Sequence, residues 1–254
     1  MRKSTCKTPL LLLLMLSLGA CRSSYEVVRV EAIPLVIDSV FDAVPARDAV
    51  ATLTPYKAAI DSMMYTVIGT AAVSMDRGAP ESLLSNLVAD VLRQSAAAVT
   101  GHPADLGIVN MGGLRNVLTQ GDITVGDVYE ILPFENSLCV LTMQGTALRK
   151  LFTDIAKSGG QGLSGARLRI GKAGALLEAT VGGQPIDDAR SYTLATIDYL
   201  ADGNDGMPSF TLAQSRECPA GATLRSLFMK YVEAQTAAGK TITSQLEGRI
   251  TVVE

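Results

Sequence analysis

The chain has 254 residues, 48% of them hydrophobic and 19% charged, with a formal net charge of −3. That is one to two domains' worth of chain, with enough apolar text for a substantial core. The acidic balance and the lack of a basic tract argue against nucleic acid as a partner, because such binding needs a clustered cationic footprint.

The chain opens with Arg2, Lys3 and Lys7 ahead of an apolar run, Leu10 to Leu18, that is too short to span a bilayer comfortably. It closes with Leu18-Gly19-Ala20-Cys21, which resembles a bacterial lipobox and implies cleavage before Cys21 and lipidation of its thiol. Residues 1–20 are therefore expected to be a lipoprotein signal peptide, 21–50 a lipid-anchored tether and N-terminal segment, and 51–254 one domain. Loss of the three leading cations would move the formal charge from −3 to −6. Of the four cysteines, Cys6 leaves with the signal and Cys21 takes the lipid. Cys139 and Cys218 are open to two readings, a disulfide in an oxidising compartment or two buried thiols.

Thr54-Pro55 reads as a helix start, with a capping hydroxyl and proline at the first helical position. Tyr56, Ile60, Met63, Met64 and Val67 then mark one helical face, and Gly69 stops it. Thr70 to Met75 alternates as a strand. Pro80 opens a second helix, in which Leu83, Leu84, Leu87, Val88, Val91 and Leu92 recur at helical spacing. Leu106 to Val109 is a short buried strand leading to Asn110. A short helix is expected over Val125 to Ile131 and a strand over Ser137 to Met143. Leu148, Leu151, Phe152 and Ile155 stripe a further helix that Gly159-Gly160 ends. Residues 161–190 are punctuated by glycine and carry short alternating runs such as Ala166 to Ile170, suggesting hairpins. Tyr192 to Ile197 is a strand, Leu224, Leu227, Phe228, Tyr231 and Val232 stripe the last helix, and Arg249 to Val253 closes the chain as a strand. With no repeat, low-complexity tract or second hydrophobic span, one α+β domain is the economical reading.

The chemistry-bearing residues cluster at turns. Asn110-Met111-Gly112-Gly113-Leu114-Arg115 is a glycine turn bracketed by an amide and a planar cation. Pro133-Phe134 places a ring on a second turn, and Tyr199 stands beside a third that contains Gly203, Asp205 and Gly206. Asn110 offers a donor and an acceptor, Arg115 a bidentate fork, and Asp205 an acceptor for hydroxyls. Together they suit a ligand that is polar, anionic and flat. The same residues also have a plainer reading, with Asn110 and Asp205 capping local turns and the two rings lying in the core.

Three motifs, N-x-G-G-x-R, G-x-I-T and P-F-x-N, appear as Asn110 to Arg115, Gly121-Asp122-Ile123-Thr124 and Pro133-Phe134-Glu135-Asn136. A further aromatic-Leu-Ala-x-Gly-Gly-Asp-Gly pattern appears as Tyr199-Leu200-Ala201-Asp202-Gly203-Asn204-Asp205-Gly206. In this order, over roughly residues 60–254, the chain resembles the C-terminal domain of the 5'-nucleotidase/UDP-sugar hydrolase family. The resemblance implies a single mixed α/β-layered domain. It also implies that Phe134 and Tyr199 sandwich a nucleobase across a gap of about 7 Å. By the same resemblance Asn110 meets the base edge, Arg115 a phosphate or the ribose, and Asp205 the ribose hydroxyls, with Gly112, Gly113, Gly203 and Gly206 shaping the turns.

The chain also departs from the family. Members commonly carry another arginine two positions before a glutamate at the start of the second helix. Here Pro80 precedes Glu81 and the nearest arginine is Arg77, so that contact is either missing or supplied by Arg77. Asn204 replaces a glycine, and since Asn tolerates positive φ the turn is expected to persist. Full-length members put a two-metal phosphoesterase domain first, whose chemistry needs clustered His, Asp and Asn ligands. This chain has one histidine, His102, in a Gly-His-Pro loop, and no D-x-H, N-H-E or G-H-x-H run. No nucleophile elbow or P-loop is present either. The expectation is the nucleotide-recognition half of a split 5'-nucleotidase, inactive alone and holding no metal or cofactor. A separate metallophosphoesterase chain would supply the divalent metals. It would be exported to the bacterial cell envelope and tethered to a membrane through Cys21. The alternatives are a non-catalytic nucleoside- or nucleotide-binding lipoprotein and a structural adaptor.

Overall fold

The computed structural model describes residues 26–32, 34, 39 and 43–253, so Cys21 and the expected signal segment lie outside the described residues. The chain divides into two units, one ending at Thr52 and the other running from Leu53 to the end. In chain order the regular elements begin with α1 (Arg47–Met64), β1 (Val67–Ala71), α2 (Leu83–Ser95), the short α3 (Ala97–Thr100) and β2 (Leu106–Val109). There follow β3 (Gly121–Thr124), α4 (Val125–Ile131), β4 (Leu138–Gln144) and α5 (Gly145–Lys157). Four strands, β5 (Gly162–Ser164), β6 (Ala166–Gly171), β7 (Leu176–Val181) and β8 (Gln184–Pro185), make up the glycine-punctuated stretch. The chain ends with β9 (Ser191–Ile197), α6 (Asp198–Ala201), β10 (Ser215–Glu217), α7 (Leu224–Ala237) and β11 (Ile250–Val253).

The result is the expected mixed α/β fold. A five-stranded sheet in the order β10-β4-β9-β2-β5 forms its centre, beside a four-stranded sheet β11-β6-β7-β8 and a two-stranded pair β1-β3. β4 and β9 pair antiparallel from Leu138 opposite Ile197 to Gln144 opposite Ser191, while β2 runs parallel to β9. β2 is buried along its whole length and β9 along most of its own, which suits strands covered on both faces. α2 lays Leu84, Leu87, Val88, Val91 and Leu92 against this sheet. Ser82 caps it, reciprocally bonded with Ser85. α4 is short but sharply begun, because Thr124 and Asp127 form the same kind of box. The closing strand is tied in by Arg249, whose guanidinium meets Asp90 on α2 at 2.8 Å and the Leu163 carbonyl at 2.8 Å. Burial alone would lower the pKa of this cation, but its hydrogen bonds to the Asp90 and Glu247 carboxylates, with their charges, outweigh that and raise it.

Three expectations at the start of the domain need correction. α1 begins at Arg47, with Pro55 inside it and not at its start. On its apolar face Tyr56, Ile60 and Met63 are more than half exposed, and the helix buries no residue. Gly69 does not end a helix. It sits within β1 at a register shift, and a Cβ there would come 2.6 Å from Val232 Cγ1 and 2.7 Å from Thr236 Oγ1 on α7. Glycine is therefore needed for the close approach of α7 to the strand. At the second helix, Pro80 lies ahead of the cap and Leu83 is the first helical residue, because Ser82 supplies a better cap than the preceding segment. Cys139 and Cys218 form a disulfide that closes a sequence separation of 79 and ties β4 to the segment just beyond β10.

Candidate functional site

Sheet register assembles the site. Because β4 is antiparallel to β9 and β2 parallel to it, the start of β4 and the ends of β2 and β9 fall at one end of the sheet. Phe134 and Asn136 lead into that end, Asn110 leaves it, and Tyr199 follows it on α6. Residues distant in sequence are thereby brought to one cavity of about 280 Å³, lined by Asn110, Gly112, Gly113, Phe134, Asn136, Tyr199 and Asp205.

Asn110 is the buried polar residue of the group, at 5% exposure. Its Nδ2 donates to Asp205 Oδ2 at 2.8 Å. This contact joins residues 95 positions apart and is not the local turn cap that sequence alone also allowed. Asn110 Oδ1 is buried with no hydrogen-bond partner among the described residues. A Cβ at position 113 would stand 2.8 Å from that oxygen, so Gly113 keeps its approach open. Asp205 itself adopts a left-handed φ of 58°, between Gly203 and Gly206 at 83° and 72°. The turn persists, though the left-handed residue is Asp205, while the departing Asn204 donates from Nδ2 to the Tyr199 carbonyl at 2.9 Å.

The two rings stay out of the core, with Phe134 at 48% and Tyr199 at 43% exposure. Arg115 does not line the cavity. Its Nη1 donates to the Gly112 carbonyl at 3.2 Å on the glycine turn. Arg77 reaches the same turn from another segment, donating from Nη1 to the Met111 carbonyl at 3.2 Å. Two guanidiniums thus flank consecutive carbonyls of one turn, with donors left over.

Two residues at this site were not singled out from the sequence. Asn136 lines the cavity, and its signal was its place at the end of the P-F-x-N motif. Gln161 accepts from the Met111 backbone N–H at 2.7 Å and so holds the glycine turn. No local pattern marks it. The β2–β5 register, with Val109 opposite Gly162, sets it beside the turn. His102 lies on an exposed loop with Nδ1 3.0 Å from the Pro103 carbonyl. Among the described residues no group of three or more His, Cys, Asp or Glu is arranged to hold a metal ion.

A family model described as 5'-nucleotidase, C-terminal domain, matches residues 67–214, more than half of the chain and inclusive of every residue of the cavity. The chain belongs to this family. The silent protein UshA(0) of Salmonella typhimurium is 28% identical over 162 residues, covering 61% of this chain and 29% of that protein. The cell wall protein Lmo0130 of Listeria monocytogenes is 29% identical over 231 residues, covering 81% of this chain and 29% of its own. Among solved structures, a 5'-nucleotidase precursor from Thermus thermophilus superposes with a TM-score of 0.69 at 27% identity, covering 81% of this chain and 43% of that one. This 5'-nucleotidase C-terminal domain thus spans less than half the length of each of these proteins.

Proposed function

We propose that this 5'-nucleotidase C-terminal domain is the nucleotide-recognition half of a split 5'-nucleotidase. The observation that carries this reading is the convergence of two half-exposed rings, an unpartnered amide oxygen and a carboxylate on one cavity. Phe134 and Tyr199 take the two faces of a base, a contact worth about 1–3 kcal/mol per stacked ring. Asn110 Oδ1 accepts a hydrogen bond from a donor on the base edge, and Asp205 accepts from the ribose hydroxyls. Arg115 and Arg77, anchored to the glycine turn, offer their remaining donors to a phosphate. Holding the base far from the scissile bond positions the phosphate for attack elsewhere.

Two-metal hydrolysis takes clustered His, Asp and Asn ligands. A separate metallophosphoesterase chain supplies these, with the divalent metals and the attacking water. Export and a lipid on Cys21 would confine both halves to one envelope membrane and raise their effective concentration. The purified chain with Zn²⁺ or Mn²⁺ is expected to release no phosphate from AMP at an enzyme-like rate, and such release would refute the split arrangement.

Calorimetric titration with adenosine and AMP tests the site. Saturable binding that Phe134→Ala and Tyr199→Ala each weaken by about tenfold or more is the expected result. Binding that neither substitution weakens, or none by the folded wild type at millimolar ligand, removes the reading. Co-purification with a phosphoesterase chain separates a split enzyme from a binding protein that acts alone.

A further inference from the structure

Phe134 is half exposed, so packing covers only part of the ring. The turn that carries it is gripped by one side chain. Arg225, the second residue of α7, is 6% exposed. Its Nη1 donates to the Leu132 carbonyl at 3.2 Å and to the Pro133 carbonyl at 3.1 Å, and its Nη2 pairs with the Glu135 carboxylate. The guanidinium carbon lies 4.0 Å from the centroid of the Tyr129 ring. Backbone pairing adds to the grip, since Leu224 N–H donates to the Asn136 carbonyl at 2.8 Å and Leu138 N–H to the Ala222 carbonyl at 2.8 Å.

A buried cation is costly unless its donors are matched. Here carbonyls, a carboxylate and a π-face meet it from different directions, and a planar fork suits that arrangement where an ammonium does not. The partners of Arg225 lie on both sides of Phe134 in sequence, while Phe134 itself lines the cavity. We propose that Arg225 is a positioning residue for the base site, fixing the Leu132–Glu135 turn so that the Phe134 ring is presented to the ligand. The proposal rests on reading the cavity as a base site. It adds α7, which contributes no residue to the cavity, to the machinery that sets affinity.

The test uses the full chain and adenosine as the probe. Arg225→Met is measured in the wild-type and in the Phe134→Ala background, at ligand concentrations high enough to define both affinities. Positioning through the ring predicts a loss of about tenfold or more in the first background and less than about twofold in the second. The chain has no tryptophan, so Phe134→Trp supplies a single reporter at the ring position. In ligand-free protein, Arg225→Met should lower the fluorescence anisotropy of that reporter while the thermal midpoint still reports a folded domain. Equal losses in both backgrounds, or an unchanged anisotropy, would overturn the proposal. If wild type binds no adenosine, the base-site reading has failed and the anisotropy alone decides the role of Arg225. If Arg225→Met does not fold, Glu135→Ala takes its place under the same criteria with a smaller effect of about threefold, because the Glu135 side chain is 74% exposed.

Discussion

A buried carbonyl oxygen with no donor costs on the order of 1–3 kcal/mol. Asn110 Oδ1 is in that position, while the amide of the same side chain is committed to Asp205. Asn110→Asp would therefore set a second carboxylate against the first across 2.8 Å, and like charges this close do not both ionise readily. AMP affinity at pH 7 is expected to fall more than about tenfold, with part of the loss recovered as pH drops toward 5 and one carboxyl takes a proton. Titrations of the variant at both pH values check this, and a pH-independent loss would show that charge is not the cause. Asn110, Phe134, Tyr199 and Asp205 were legible as candidates because each stands at a turn inside a family motif, although the turns alone equally allowed local caps and core rings. Gln161 and Arg225 were not legible. One sits in a glycine-rich loop and the other beside a helix stripe, and only pairing with remote segments gives them their task.

Among the elements, those with a local beginning were readable. The helix over Val125–Ile131 starts on the Thr124–Asp127 box, and β2 is a short apolar run bounded by polar residues. The start of α1 was misplaced because Pro55, which lies inside the helix, mimics a helix start. Gly69 was misread because a glycine needed for packing carries the same letter as one that breaks a helix. Gly69→Ala should destabilise the domain by about 1–3 kcal/mol through the clash with Val232 and Thr236, seen as a lower denaturant midpoint. Its adenosine affinity should change by less than about twofold, since Val232 and Thr236 lie about two turns beyond Arg225 on α7. The disulfide acts on elements of the site sheet. Cys139→Ser with Cys218→Ser opens a closed loop of separation 79 and should cost about 2–5 kcal/mol. A reductant should lower the thermal midpoint of the wild type similarly and leave the double variant unmoved.

At the scale of the molecule, the cavity draws its walls from residues 110, 134, 199 and 205, spread over 95 positions of the chain. Its end of the sheet exists only when β2, β4 and β9 are in register. A ligand that recognises this arrangement has no foothold on an unfolded chain, so binding free energy transfers whole to the folded state. At a hundred times its dissociation constant, adenosine should add about 2.7 kcal/mol of stability. For a domain of this size that corresponds to a rise of about 5–10 °C in the melting midpoint, which Phe134→Ala should cut at the same ligand concentration. The register of three strands thus turns the domain into a thermometer for its own ligand. Nucleosides could be ranked by the heat the protein survives, with neither a catalytic partner nor a turnover assay.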